Sequence, residues 1–134
     1  MAKAEGKSIP FIGLEGIDVD VLETFESVRG DVKWEPMPTT YETKEFSAVC
    51  PFSGLPDVAY VRIDYTPKDK VVELKSLKYY LMSYRPVGVY QEHATRIIAE
   101  HLKDCLGVDV GVTTVYNTRG GIDTTCHIVA KATP

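Results

Sequence analysis

Hydrophobic and polar residues alternate along residues 57–66. Ala59, Val61, Ile63 and Tyr65 fall on one side, and Tyr60, Arg62 and Asp64 on the other. A two-residue period predicts a half-buried strand. Residues 108–117 repeat the pattern with Val108, Val110, Val112, Thr114 and Tyr116. Residues 122–131 do so with Ile122, Thr124, Cys126, Ile128 and Ala130, and Arg119-Gly120-Gly121 supplies the tight turn between these two runs. Residues 39–49 are rich in Thr and Tyr, which favour extended backbone, and the Pro/Gly turn over 51–56 joins them to 57–66 as a hairpin. Between the hairpins the period changes. Leu74, Leu77, Leu81 and Tyr84 recur at helical spacing over 73–84, and Pro86 prevents much continuation. Tyr90, Ala94, Ile97, Ile98, His101, Leu102 and Cys105 form one stripe over 90–106, with Gly107 placed to cap it.

The order strand-strand-helix-helix-strand-strand predicts an α+β fold: a four-stranded antiparallel sheet with two helices on one face. Its edge strands stay open, and an open edge invites a neighbouring copy. Residues 1–38 read as an irregular extension, with a helical turn at 19–25. A length of 134 residues fits one domain over 1–134, and 44% apolar residues suffice for a core.

Charge and cysteine usage narrow the function. The net charge is −4 with no basic block, which argues against a large polyanion such as tRNA as direct partner. No apolar run is long enough for a membrane span, and the first residues lack a secretion signal, so a cytoplasmic protein is expected. Cys50, Cys105 and Cys126 are odd in number and contain no Cys-x-x-Cys, which argues against a disulfide framework and a sulfur-based zinc site. His93 and His101 are eight apart, too far for a paired ligand motif on one helix, so no metal site is expected. Cys105 and Cys126 lie on apolar stripes and read as buried structural thiols.

Cys50 differs. It ends a strand-like run and precedes Pro51 at the turn, where it is either one more structural thiol or a nucleophile. Asp57 opens the next strand. It is either a turn residue bonded to its own backbone or, once the hairpin closes, a proton donor beside Cys50. Lys75 and Lys78 are the wet side of an amphipathic helix or phosphate ligands. Glu92 suits the first turn of a helix on dipole grounds alone. Arg119-Gly120-Gly121 is a hairpin turn that also lets a phosphate approach the backbone beside a guanidinium.

Jointly, four segments resemble the 7-cyano-7-deazaguanine reductase (QueF) family in its short single-module form. They are residues 21–25, the loop over 46–57, Glu73-Leu74-Lys75-Ser76-Leu77-Lys78-Tyr79-Tyr80, and Arg119-Gly120-Gly121-Ile122. The likeness spans roughly residues 21–130. It implies a nitrile reductase of queuosine biosynthesis that uses two NADPH. It further implies the tunnelling fold, strand edges paired between subunits into a barrel, active sites between subunits, and a homo-oligomer, typically a decamer of two pentamers. By family position Cys50 would form a thioimide with the nitrile and Asp57 would supply protons. Val72, Glu73, Leu74, Gln91 and Glu92 would bind the base, whose adjacent N–H donors suit a carboxylate. Lys75, Lys78, Arg119 and Gly120 would meet NADPH outside any Rossmann fingerprint. Gln91 stands where many relatives have His; its amide hydrogen-bonds but cannot donate a proton as imidazolium does. Two rivals share parts of this picture: an amidino- or ammonia-transferring relative that acts on nitrile-bearing tRNA, and a non-catalytic purine- or pterin-binding protein of the same fold.

Overall fold

The computed structural model of the chain describes residues 2–7, 9–28 and 35–134. After two short 3-10 turns, Leu14–Gly16 and Val19–Val21, come strands β1 (Thr24–Glu26), β2 (Thr39–Val49), β3 (Pro56–Tyr65) and β4 (Lys70–Val72). Helices α1 (Leu74–Met82) and α2 (Gln91–Leu106) follow, then strands β5 (Val110–Arg119) and β6 (Ile122–Ala130). The main sheet runs β2-β3-β5-β6, antiparallel throughout, so β2 and β6 are its edges. The two hairpins and the helix pair between them are where periodicity placed them, within two residues at each end.

The N-terminal segment departs from expectation. The turn at 19–25 is helical only over Val19–Val21, and Thr24 already begins β1. That strand pairs antiparallel with β4, Phe25 opposite Val71, in a second two-stranded sheet. Part of the 1–38 expectation, residues 1, 8 and 29–34, lies outside the described residues. Strands of three residues leave no periodic signal, and the pairing is decided by a contact nearly fifty residues away in sequence.

The alternation along the strands becomes the core. Ala59, Val61, Ile63 and Tyr65 of β3 and Val110, Val112 and Tyr116 of β5 are buried on one face. Helix α2 lies across β5 and β6 and inserts Ala94, Ile98, Ala99, Leu102 and Leu106 against them. Gly107 ends this helix at φ +71, a left-handed conformation that costs glycine little, and its N–H donates to the Lys103 carbonyl at 2.8 Å. Helix α1 starts on Glu73, whose carboxylate accepts from the Lys75 and Ser76 N–H groups at 2.8 and 2.9 Å. Such a cap contributes about 1 kcal/mol. Cys105 and Cys126 are only half-buried, so neither is the fully enclosed thiol expected of it; all three thiols are free. No described helix is long and apolar enough to cross a membrane.

Candidate active site

The β2–β3 hairpin builds the centre of the site. Its turn is closed by two backbone bonds, Cys50 N–H to the Leu55 carbonyl at 2.9 Å and Gly54 N–H to the Cys50 carbonyl at 2.8 Å. Gly54 sits at φ +72, and a Cβ there would fall 2.1 Å from the Ile9 carbonyl oxygen. The tight turn aims the Ser53 and Phe52 N–H groups, and the Ser53 hydroxyl, at the Cys50 sulfur. These donors hold the thiol below its ordinary pKa, against smaller opposing effects of burial and of the Asp57 charge. A thiolate stabilised by fixed N–H donors is a ready nucleophile.

Asp57, the second residue of β3, is paired with Ala48 two residues before Cys50. It is only 7% exposed. Burial pushes its pKa up, and the Arg119 guanidinium and the Gln91 side chain partly offset that. The same Asp57 charge is felt at the Cys50 sulfur, so carboxyl and thiol share one locality. Arg119 reaches across from the end of β5; its Nη1 is bonded to the Asp57 carboxylate and donates to the Pro56 carbonyl at 3.0 Å. Gln91, the first residue of α2, therefore meets the carboxyl group of Asp57, and Glu92 stands exposed beside it in the first turn. The structure thus brings together Cys50, Asp57, Gln91 and Arg119, with Glu92 adjacent.

The remaining candidates lie elsewhere in the same chain. The Val72 N–H donates to the Tyr65 hydroxyl at 3.2 Å. Tyr65 ends β3 and Asp57 is its second residue, and eight strand steps span roughly 26 Å. Glu73 is occupied in capping α1, while Leu74, Lys75 and Lys78 line an open cavity of about 530 Å³ between α1 and edge strand β2. Arg85 adds a third cation to that cavity, and among the described residues none of the three forms an ion pair. Gly120, at φ +58, has open space around it.

Sequence reasoning missed the strap formed by residues 9–12. The Ile9 N–H donates to the Ser53 carbonyl at 3.1 Å, and Ile12 pairs with the α1–α2 connection through Pro86 and Gly88 at 2.9 and 2.8 Å. Val49 joins the same connection, exchanging bonds with Val87 and Val89 at 3.0 and 3.1 Å. It also missed Tyr116, whose place in a strand pattern marked it only as core. No periodic signal distinguishes either feature.

The profile of a family described as QueF-like protein matches residues 56–134. The NADPH-dependent 7-cyano-7-deazaguanine reductase of Thermotoga maritima is 54% identical over 130 residues, covering 96% of this chain and 91% of that protein. The chain belongs to the QueF family. The reductase of the same name from Caldicellulosiruptor bescii is 43% identical, over 96% of this chain and 95% of its own. Among solved structures, the archaeosine synthase QueF-Like in the apo form superposes with a TM-score of 0.67 at 22% identity, covering 75% of this chain and 100% of that one. At that identity the match speaks for the fold: an α+β arrangement built on antiparallel sheets, common to this QueF-family chain and the synthase.

Proposed function

We propose that this chain is a cytoplasmic nitrile reductase that converts 7-cyano-7-deazaguanine to 7-aminomethyl-7-deazaguanine with two NADPH, in queuosine biosynthesis. The observation that carries the reading is the pairing of a Cys50 thiol pushed down by backbone donors with a buried Asp57 whose proton affinity is pushed up. A nitrile needs both. The Cys50 thiolate adds to the nitrile carbon, one π bond breaks onto nitrogen, and Asp57 protonates that nitrogen to leave a thioimide on the enzyme. When bound, NADPH would supply the hydrides, one molecule for the thioimide carbon and, once the Cys50 thiolate had left, a second for the resulting imine. Asp57, re-protonated between steps, supports the accompanying proton transfers. An enclosed site keeps the imine from water.

Lys75, Lys78 and Arg85, without ion-pair partners among the described residues, fit a phosphorylated cofactor. Lys75 and Lys78 would hold its charged groups, with Arg119 and Gly120 contributing from the β5–β6 turn. Glu92, helped by Val72, Glu73, Leu74 and Gln91, would take the base. Because Val72–Leu74 and Cys50 stand at opposite ends of β3, one chain does not bring them onto one small molecule. We read each site as shared between copies, with the free edges of β2 and β6 pairing around a tunnelling-fold barrel of single-domain subunits (residues 1–134), a decamer in the form typical of short members. Intact-mass spectrometry after incubation with 7-cyano-7-deazaguanine, without NADPH, tests the chemistry. The expected result is a gain of one ligand mass that Cys50→Ala abolishes. An unmodified chain at saturating ligand refutes it. NADPH left unoxidised, with ammonia incorporated into nitrile-bearing tRNA, would instead establish the transferase reading.

A further inference from the structure

Tyr116 lies near the end of β5, directly opposite Ala59 of β3. Asp57 is two residues from Ala59 on the same strand, and side chains two apart share a face. Tyr116 is 4% exposed, and among the described residues its hydroxyl is the buried side-chain polar atom left without a hydrogen-bond partner. The neighbouring buried hydroxyls do not share this condition. Thr114 and Thr95 bond each other at 2.6 Å, and Tyr80 bonds both Tyr84 and His101 at 2.7 Å. An unmet buried hydroxyl is destabilising, and phenylalanine would fill the same space without that defect. The hydroxyl also sits where the charges of Asp57 and Glu92 are felt, while burial, the largest influence, drives its pKa up. It is therefore a neutral donor, close to the groups assigned to the reaction and aimed at no protein acceptor.

We propose that Tyr116 is a substrate-binding residue whose hydroxyl donates a hydrogen bond to the ring carbonyl of the bound deazapurine. The proposal rests on the reductase reading. A guanine-like edge presents two adjacent N–H donors and, next to them, one carbonyl acceptor. A carboxylate such as Glu92 satisfies the donors and repels the carbonyl oxygen, so the carbonyl calls for a separate neutral donor. Asp57 is directed to the nitrile nitrogen, and Gln91 and Arg119 are engaged with Asp57. Among the described residues, the Tyr116 hydroxyl is the buried side-chain donor left without a partner.

Calorimetric titration of 7-cyano-7-deazaguanine into Cys50→Ala and into Cys50→Ala/Tyr116→Phe, where no covalent adduct forms, tests the assignment. The Phe variant is expected to bind roughly five- to tenfold more weakly, the worth of one neutral hydrogen bond, while the melting temperature of the free protein is unchanged or higher. An analogue with hydrogen in place of the carbonyl oxygen should bind both proteins equally. Equal affinity for the nitrile in both proteins overturns the proposal and leaves the reductase reading standing. A Phe-dependent loss that persists with the carbonyl-free analogue overturns the assignment to the carbonyl. Absence of any binding by the Tyr116-containing protein removes both.

Discussion

Gly54→Ala tests whether the Cys50 loop is held by backbone geometry. Gly54 lies at φ +72, and the new methyl would fall 2.1 Å from the Ile9 carbonyl oxygen, a backbone atom that cannot rotate away. The left-handed conformation costs a non-glycine residue about 1–2 kcal/mol. Moving the Ile9 strap aside loses its 3.1 Å bond to the Ser53 carbonyl, a further ~1 kcal/mol. The sum of ~2–3 kcal/mol lowers the melting temperature of a chain this long by roughly 6–12 °C. The same displacement disturbs the Phe52 and Ser53 N–H groups that hold the Cys50 thiol below its ordinary pKa. Alkylation of Cys50 by iodoacetamide at pH 7 should therefore slow severalfold, because less thiolate is present. Thermal melts and alkylation rates are measured on the full chain and on a chain lacking residues 1–9. Without Ile9 the clash is gone, and the substitution should cost only the conformational ~1–2 kcal/mol. Equal losses in the two chains, or unchanged melting and alkylation in the full chain, refute the strap as the constraint.

Arg119→Gln removes the positive charge that offsets part of burial's upward push on the Asp57 pKa. The acid then keeps its proton to higher pH, and the alkaline limb of thioimide formation, followed by stopped-flow absorbance, should move upward; a limb that stays in place removes Arg119 from control of Asp57. Asp57→Asn should still bind the base yet form adduct at least 100-fold more slowly, the usual worth of a general acid, and undiminished turnover would exclude Asp57 from that role. The same variant carries a stability signature. Burial raises the folded-state pKa of Asp57, so its contribution is complete below the ordinary carboxylate range and is lost as pH rises through the raised value. The melting temperature of Asp57→Asn relative to the parent should therefore increase from acid toward neutral pH, and a pH-independent difference would contradict the burial. Leu102→Ala empties a fully buried position between α2 and the sheet and should cost about 2–5 kcal/mol by chemical denaturation; a loss below 1 kcal/mol would show that α2 is not packed as described.

The element order was legible because burial imposes a period. A strand with one buried face must repeat every two residues, and a helix with one buried stripe every three to four. Ala59, Val61 and Ile63, like Ile98 and Leu102, record their own environment in their spacing. Pro86 and Gly107 mark ends through backbone restrictions that belong to the residue itself. Cys50 and Asp57 stood out as a thiol and a carboxylate flanking a turn. The eight residues from Glu73 to Tyr80 carried a family likeness that the relatives bear out.

Tertiary structure alone decided who meets whom. Nothing in the spacing joins Arg119 to Asp57, sixty-two residues away, or Ile9 to the Cys50 turn, because such contacts are made by the folded chain after the local periods are satisfied. The pairing of β1 with β4 has the same origin. The chemical states of the site residues belong to this level too. A thiol is lowered only when N–H groups converge on it, and a carboxyl is raised only when the fold withdraws it from water. The sequence determines which groups are present and on which face each begins; the packed structure determines their dielectric surroundings and their partners, and those set the reactivity.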